Sequence, residues 1–313
     1  MRIFRHTGCL PADARGAVAA LGNFDGVHLG HQAVIGTAAG IAGPAGAPLA
    51  VLTFEPHPRR VFRPDDPPFR LTPFRIKARQ IEALGVDLLF VVHFDPDFAK
   101  RTAEAFVEEV LVRDLGVRHV VVGYDFVFGR GRGGNVGLLS AMSGRLGFGV
   151  TSVEPATGPE GTVLSSTRVR TLLAEGRPRD AALVLGRPWE IEGRVEGGFQ
   201  RGRTIGFPTA NVALDDYLRP AFGVYAVRAG IDRGVGTDWL PGVANLGRRP
   251  TVGGTAELLE VHLFDFGGDL YGRHLRVQLV EFLRPERKFD GLDALKAQIA
   301  LDAEAARRLL SSG

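Results

Sequence analysis

The chain has 313 residues, a length that suggests two domains. Apolar residues make up 45% and charged residues 23%, a composition typical of globular proteins. Its net charge of +3 is too small to indicate a nucleic-acid-binding surface. A single cysteine excludes an internal disulfide, and no apolar run approaches the ~20 residues that cross a bilayer. The N-terminal segment also lacks the apolar core of a signal peptide. We therefore predict a cytoplasmic protein whose partners include neither nucleic acid nor membrane.

A short strand, a glycine-rich turn and a helix are the first predicted elements. Residues Gly16–Leu21 are small or apolar and predict a buried strand. The turn that follows contains three glycines, Gly22, Gly26 and Gly30. If the next helix begins near His28, the rings of His28 and His31 lie on one face of its first turn. A helix N-terminus favours a bound anion, and two imidazoles there suit charge that develops on a phosphate oxygen. Surface or metal-binding histidines are the alternative interpretation.

Strands and helices alternate through the rest of the first half. Four further strands are predicted, at Leu49–Phe54, Val86–Phe94, Val117–Gly123 and Gly149–Glu154. Thr72 and Pro73 predict the N-cap and the first residue of a helix that ends near Leu84. The segment after the third strand has apolar residues at helical spacing that indicate core packing, namely Phe98, Phe106, Val110 and Leu111. This order predicts βαβ units and an α/β domain with a mostly parallel sheet.

Three loops at the predicted edge of this sheet contain residues suited to binding, because open α/β sheets bind ligands at that edge. His57 lies between two prolines, which predict an extended loop after the second strand. The loop 123–135 mixes glycines and arginines with Phe126 and Phe128, which suit a flat ring; a flexible surface loop is the alternative. Serines and a threonine at 165–167 predict the cap of a helix that runs to Ala174 beside two arginines.

The periodicity changes after residue 186, where short strands between glycine and Asn/Asp turns predict a β-barrel. The predicted strands are Trp189–Glu196, Phe222–Val227, Gly242–Leu246, Leu258–Phe264 and Val277–Leu283. An amphipathic helix follows near the end of the chain. The sequence therefore predicts a second, mainly β domain that ends in a helix.

Three polar residues of this second half are candidates for chemistry. Thr209 and Asn211 alternate onto one face and offer two neutral oxygens of the kind that Mg²⁺ binds, although a polar turn in solvent has the same pattern. Glu260 shares a face with Leu258 and His262, and we expect that face to line the barrel interior. A buried acid is costly without a partner or a task, whereas an exposed strand acid is the ordinary alternative.

Several motifs occur in an order that resembles a known family. GNFDGVHLGHQ, TFEPHP, LTPFRIK, VGYDFVFG and SSTRVR resemble the adenylyltransferase module of bacterial bifunctional riboflavin kinase/FAD synthetases, a nucleotidylyltransferase with a Rossmann-like fold. GRTIGFPTAN, NLGRRPT and the C-terminal RPERKFDGLDALKAQIALD resemble the riboflavin kinase module, a β-barrel. The resemblance implies an adenylyltransferase domain at 1–186 and a kinase domain at 187–313. Relatives often carry a basic residue at the position of Val127, which leaves the role of that position open.

The resemblance also implies roles for individual residues. Glu260 is implied as the base that deprotonates the ribityl 5′-hydroxyl, and His28 and His31 as the catalytic pair of adenylyl transfer. Implied nucleotide- and phosphate-binding residues are Gly22, Phe24, Asp25, Gly30, Asp125, Ser166, Thr167, Arg170, Gly202, Thr209 and Asn211. Implied flavin-binding residues are His57, Phe126, Phe128, Asn245, Arg284 and Phe289. Mg²⁺ is implied as the cofactor, held by Thr209 and Asn211.

The function implied is the synthesis of FAD in two steps. Riboflavin takes a phosphoryl group from ATP to give FMN, and FMN then takes an adenylyl group from a second ATP to give FAD and pyrophosphate. Riboflavin, FMN and ATP are the implied small-molecule partners, and a homo-oligomer is a further possibility that relatives suggest. A kinase-only enzyme and a flavin-binding regulator with an inactive adenylyltransferase module are the alternatives. An RNA-linked nucleotidylyltransferase fits less well, because the chain lacks a basic stripe.

Overall fold

The computed structural model describes residues 1–158, 161–196, 207–233, 236–251 and 254–311. Their contacts divide the chain into two compact units. The first unit comprises Met1–Pro67 and Thr72–Ser165, and the second comprises Pro68–Leu71 and Ser166–Gly313. The domain boundary at residue 186 stays a prediction. In the part of the chain that is described, no helix is long and apolar enough to cross a membrane.

The first unit contains a six-stranded, wholly parallel sheet. Its strands are β1 Arg2–Phe4, β2 Val18–Leu21, β3 Leu49–Glu55, β4 Leu88–His93, β5 His119–Gly123 and β6 Gly149–Val153. They lie in the order β1-β4-β3-β2-β5-β6. The predicted parallel sheet is confirmed, and β1 is an additional edge strand that the sequence pattern did not indicate.

Helices cover both faces of this sheet. They are α1 Leu29–Ala42, α2 Pro58–Phe62, α3 Phe74–Glu82, α4 Ala103–Ala105, which continues as a π-helix over Phe106–Asp114, and α5 Val136–Leu146. Alternate residues of β2 enter two separate cores. Val18 packs in the core beneath α1 and α3, whereas Ala19 packs in the core that contains Phe106 and Leu111. Burial on both faces explains why the central strands β2 to β5 are mostly apolar.

Two local expectations for the first unit are wrong. The segment after His57 is not an extended loop, because Pro58 begins the short helix α2 and His57 is its N-cap. A proline at the first helical position has its φ already set for the helix and has no N–H to satisfy there. Thr72 is not the cap of α3: the cap is Pro73, and the side chain of Thr72 binds the turn after β2 instead.

The second unit is a closed antiparallel barrel with helices. The strands are β7 Trp189–Glu196, β8 Ala210–Ala213, β9 Gly223–Ile231, β10 Leu240–Thr251, β11 Gly254–Leu263 and β12 His274–Pro285, in the order β10-β11-β8-β7-β12-β9. The helices are α6 Ser166–Ala174, α7 Pro178–Leu185 and α8 Leu292–Ser311. The predicted barrel and C-terminal helix are confirmed, although β8 is too short and too close to glycines and prolines to be recognised from its pattern.

The face of β11 that lines the barrel is the opposite of the one expected. Leu259, Val261 and Leu263 are at most 5% exposed, whereas Leu258, Glu260 and His262 are half-buried on the other side. The prediction that Glu260 faces the barrel interior is therefore wrong. Side chains alternate between the two faces of a strand, and the barrel interior takes the face with the three apolar residues because this buries no charge.

We predict that Leu259→Ala lowers the free energy of unfolding of the second unit by about 2–5 kcal/mol, because it leaves a cavity in the barrel core. Leu258→Ala on the outer face is the matched control, and we expect a clearly smaller loss. Urea unfolding followed by tryptophan fluorescence reports on this unit, because Trp189 and Trp239 both lie in it. Equal losses for the two variants would contradict the observed face.

Candidate functional site

The turn between β2 and α1 brings the two predicted histidines together. His28 is the N-cap of α1, and its Nδ1 accepts a hydrogen bond from the backbone N–H of His31 at 3.3 Å. The two rings stack with their centroids 3.6 Å apart. Since a neutral imidazole that accepts at Nδ1 carries its hydrogen on Nε2, His28 has a donor of the kind that binds a phosphate oxygen. The structure thus places both rings on one face of the first helical turn, as the spacing predicts.

Close packing around the histidines explains two of the glycines. A Cβ at Gly30 would lie 3.1 Å from the ring of His28 and 3.1 Å from the carbonyl oxygen of Leu164. A Cβ at Gly22 would lie 3.3 Å from the ring of Phe24, which is buried and meets the ring of His31 edge-on at 5.2 Å. These glycines let the turn fold tightly behind the histidines, which supports their predicted place in a binding site without assigning them a ligand.

Asp25 lies in the same turn but points into the protein. It is 2% exposed, and its Oδ1 accepts hydrogen bonds from the backbone N–H of Thr72 at 3.0 Å and from the Thr72 hydroxyl at 3.3 Å. These contacts explain the position of the carboxylate. Its predicted role in nucleotide binding stays a prediction.

The predicted flavin-binding residues of the first unit differ in how much surface they offer. His57 is buried, and its Nδ1 accepts a hydrogen bond from the backbone N–H of Arg59 at 3.1 Å. Phe128 packs in the core against Phe106, with ring centroids 5.4 Å apart. Phe126 is half-buried and stacks on Phe128 at 5.5 Å. Of these three side chains, Phe126 offers the most ring surface for a flat ligand.

The loop 123–135 is closed by backbone pairing. Phe128 and Gly134 exchange two backbone hydrogen bonds, at 3.1 and 2.9 Å. A Cβ at Gly129 would lie 2.7 Å from the backbone of Ala103, so the glycine permits this close approach. Asp125 and Val127 are exposed on the same loop. The loop is therefore an ordered structure that presents Asp125 and Val127 to solvent.

The predicted phosphate-binding residues at 166–170 lie on α6, in the second unit. Ser166 is the first residue of α6, and Thr167 is exposed on its first turn. Arg170 donates from Nε to the carbonyl oxygen of Phe69 at 3.0 Å, and its guanidinium lies 5.7 Å from the centre of the Phe69 ring. Any contact of Arg170 with a phosphate therefore falls to its terminal Nη groups.

Three predicted residues of the barrel lie in one row across neighbouring strands. Asn211 on β8 pairs with Glu260 on β11, and Glu260 pairs with Asn245 on β10. Directly paired residues of antiparallel strands point to the same side, so the three side chains share the outer face of the barrel. Asn245 also donates from Nδ2 to Glu286 Oε1 at 3.3 Å. A carboxylate flanked by two amides is the arrangement that this row offers.

A cavity of about 160 Å³ adjoins one end of this row. Thr209 and Asn211 both line it, together with Asp269 and Tyr271 from the turn before β12. Asn211 Oδ1 is buried and has no hydrogen-bond partner among the residues that the structure describes. A neutral amide oxygen in that state suits a cation, and the Thr209 hydroxyl adds a second oxygen of the type that Mg²⁺ accepts. The side-chain oxygens of Thr209 and Asn211 thus fit the predicted Mg²⁺. The predicted nucleotide-binding residue Gly202 lies outside the described residues.

The sequence pattern gave no reason to single out the turn at Asp269–Tyr271 for binding. Its residues line the cavity, and the backbone N–H of Tyr271 donates to Asp269 Oδ1 at 2.9 Å. A short polar turn has no periodicity from which such a position is inferred. The turn lines the cavity only because the closed barrel places it beside β8, a tertiary contact that the sequence pattern does not indicate.

Arg284, predicted to bind flavin, is engaged in a buried ion pair. Its Nε and Nη2 donate to the two oxygens of Asp302 on α8, at 2.9 and 2.7 Å. Gln298 Nε2 donates to the same carboxylate at 2.7 Å. The ring of Phe289 lies near Arg284 and Arg287, at 5.7 and 4.8 Å from their guanidinium carbons. Arg284 therefore ties α8 to the barrel, and its role toward flavin stays a prediction.

Two family models match the chain in the order of its two halves. A model described as FAD synthetase matches residues 10–168, and a model described as Riboflavin kinase matches residues 185–310. Together they account for most of the 313 residues.

Curated relatives match over nearly their whole length. A bifunctional riboflavin kinase/FMN adenylyltransferase of Escherichia coli K12 is 46% identical over 297 residues, which is 95% of this chain and 93% of that protein. The protein of the same name from Pseudomonas fluorescens is 43% identical over 310 residues, 99% and 98% of the two chains. A crystal structure described as a macrolide-efflux protein from Streptococcus pneumoniae is 31% identical, covers 98% of both chains and superposes with a TM-score of 0.85.

We predict that Arg284→Gln lowers the free energy of unfolding by about 3–5 kcal/mol, because it leaves the carboxylate of Asp302 buried without its cation. The two side chains of this pair are 18% and 8% exposed. Arg308→Gln is the matched control, since its pair with Glu304 on α8 is 70% and 62% exposed and contributes about 0.5 kcal/mol or less. Urea unfolding of the three proteins checks this, and similar losses for both variants would contradict it.

Proposed function

The chain belongs to the bifunctional riboflavin kinase/FMN adenylyltransferase family, and we propose which of its residues perform each of the two reactions. It is an enzyme with a FAD synthetase domain and a riboflavin kinase domain. In the kinase reaction, the ribityl 5′-hydroxyl of riboflavin attacks the γ-phosphorus of ATP, which gives FMN and ADP. In the adenylyl reaction, the FMN phosphate attacks the α-phosphorus of a second ATP, which gives FAD and pyrophosphate.

We assign the kinase reaction to the outer face of the barrel, and the observation that carries the assignment is the row Asn211–Glu260–Asn245. Glu260 takes the proton of the attacking hydroxyl as general base, which its place on the half-exposed outer face permits. Thr209 and Asn211 would hold Mg²⁺ through their side-chain oxygens. When bound, that ion supplies positive charge to the phosphate oxygens of ATP.

We assign the adenylyl reaction to the turn that precedes α1. Nothing in the protein needs to act as nucleophile, because the attacking phosphate is already an anion. The stacked imidazoles of His28 and His31 lie beside the N-terminus of a 14-residue helix, where donors and the helix dipole stabilise charge that develops around the α-phosphate. The family resemblance alone supports Ser166, Thr167 and the Nη groups of Arg170 as the groups that would bind the distal phosphates.

The proposal extends to two properties of the whole protein. A cytoplasmic location is supported by the single cysteine, since a chain with one cysteine forms no internal disulfide and is suited to a reducing compartment. Homo-oligomers are supported by the family resemblance alone, and sedimentation velocity of the purified protein tests for them.

We predict that Glu260→Gln lowers kcat for FMN formation by about 10²–10⁴-fold, because the variant has no general base. FAD formation from supplied FMN should be unchanged. Glu257→Gln on the same strand is the matched control: Arg219 and Arg248 hold the pKa of Glu257 below its ordinary value through hydrogen bonds, so that acid is poorly suited to accept a proton. Chromatographic separation of flavins over time gives both rates. A normal kinase rate in Glu260→Gln would refute the assignment.

We predict the reverse pattern for His28→Ala. FAD formation should fall by about 10²-fold or more, since a group that stabilises transition-state charge is lost, while FMN formation continues. The same flavin separation measures both products from riboflavin and excess ATP. If FAD formation survives, or if both rates fall in protein that remains folded, the assignment of the two reactions to separate residues is wrong.

A further inference from the structure

The segment TPFRIK, at the start of α3, has no part in either proposed reaction, yet two of its polar side chains are buried. Thr72 is 1% exposed and Lys77 is 0% exposed. We infer that Thr72 and Lys77 are positioning residues for adenylyl transfer, which hold the ends of β2 and β3 in place beneath His28 and His31. The inference rests on the role proposed for those histidines.

Thr72 binds two successive residues of the turn after β2. Its hydroxyl accepts a hydrogen bond from the backbone N–H of Gly26 at 2.7 Å and donates to Asp25 Oδ1 at 3.3 Å. Its backbone N–H donates to the same carboxylate oxygen at 3.0 Å. A hydroxyl has one hydrogen and two lone pairs, so it serves both partners at once. No apolar side chain of the same size reproduces these two bonds.

The turn needs such support because its backbone is unfavourable. Phe24 and Val27 have φ values of +49° and +42°, in the left-handed region that side chains other than glycine rarely adopt. A residue with such a φ keeps it only where contacts with the surrounding structure compensate the strain. Val27 directly precedes His28, the cap of α1. When the Thr72 bonds are lost, the turn can relax, and the imidazoles move with it.

Lys77 acts on the neighbouring strand. Its ammonium lies 2.9 Å from Glu55 Oε1 at the end of β3 and 3.5 Å from Thr53 Oγ1. The Thr53 hydroxyl in turn donates to the carbonyl oxygen of Asn23, in the turn after β2. The contacts of Lys77 therefore reach the same turn that Thr72 holds, and they also fix the strand end that leads to His57.

A buried ion pair of this kind is costly to form. Desolvating an ammonium and a carboxylate offsets much of their attraction, so an apolar replacement often gives equal stability. Stability alone is therefore a weak explanation for the pair, whereas its directional bonds to Glu55 and Thr53 hold the strand end in one position. A positioning role and a purely structural role of the pair therefore predict different results for a variant that restores stability without these bonds.

The first test compares Thr72→Val with Thr72→Ser in the full chain, with far-UV circular dichroism of each variant as the control for folding of the first unit, in which Thr72 lies. We expect Thr72→Val to lower kcat for FAD formation by about 10–100-fold, the scale that a displacement of about 1 Å produces. KM for ATP and the kinase rate should change little. Thr72→Ser keeps the hydroxyl and should restore kcat to near the parent value. An unchanged kcat in Thr72→Val, or equal losses in both variants, would overturn the inference.

The second test uses Lys77→Met, Glu55→Gln and the double variant, and it also applies if Thr72→Val fails to fold. We expect Lys77→Met alone to be destabilised, since it removes the buried ammonium that lies 2.9 Å from the Glu55 carboxylate. The double variant should regain thermal stability but keep a kcat for FAD formation that is at least tenfold below the parent value. Recovery of both properties would show that the pair is only structural.

His28→Ala is measured in parallel, so that a failure of the proposed histidine role can be distinguished from a failure of the positioning role. If His28→Ala keeps full FAD formation, the proposed role of the histidines is wrong, whatever the Thr72 variants do. If His28→Ala loses FAD formation while Thr72→Val does not, the histidine assignment stands and the positioning role is refuted.

Discussion

The alternation of side chains along β11 is the constraint on which the arrangement of the barrel's candidate site depends. A closed barrel has an interior that only apolar side chains fill cheaply, and Leu259, Val261 and Leu263 take those positions. The side chain of every second residue must then point outward, which places Glu260 on the outer face. The pairing register of β11 with β8 and β10 then places Asn211 and Asn245 directly beside Glu260. The polar row on the outer face thus follows from the exclusion of charged and polar side chains from the barrel core.

The first unit meets a different constraint, because its central strands β2 to β5 are almost entirely buried and leave no polar face for chemistry. Reactive side chains are therefore confined to the loops at the strand ends, as is general for parallel α/β sheets. A loop that must direct two rings needs a fixed backbone, and the turn at Phe24 and Val27 adopts one that these residues do not favour. The Thr72 hydroxyl accepts a hydrogen bond from the backbone N–H of Gly26 in this turn, and the carboxylate of Asp25 accepts one from the backbone N–H of Thr72.

Much of the fold could be predicted because long strands and helices follow a strong hydrophobic period. The bounds of β7 match the prediction residue for residue, and the βαβ order and the barrel are confirmed. The errors arise where tertiary contacts outweigh local preference. Thr72 has the chemistry of a helix cap but binds the turn after β2 instead. The face of Glu260 was misjudged for another reason, since the apolar alternation of Leu259, Val261 and Leu263 on the same strand indicates the buried side. The histidine pair was predictable because its spacing is local.

The predicted ligand-binding residues divide according to whether the protein already uses their polar atoms. The guanidinium of Arg284 is bonded to Asp302, and the carboxylate of Asp25 is bonded to Thr72. A ligand would have to compete with those contacts, and each broken bond leaves a buried group unsatisfied. Asn211 is different, because its buried Oδ1 has no partner among the residues described. Leaving such an atom unsatisfied costs stability, which is why we propose Asn211, and not Arg284 or Asp25, as the residue of these three that binds a ligand through atoms the protein does not already use.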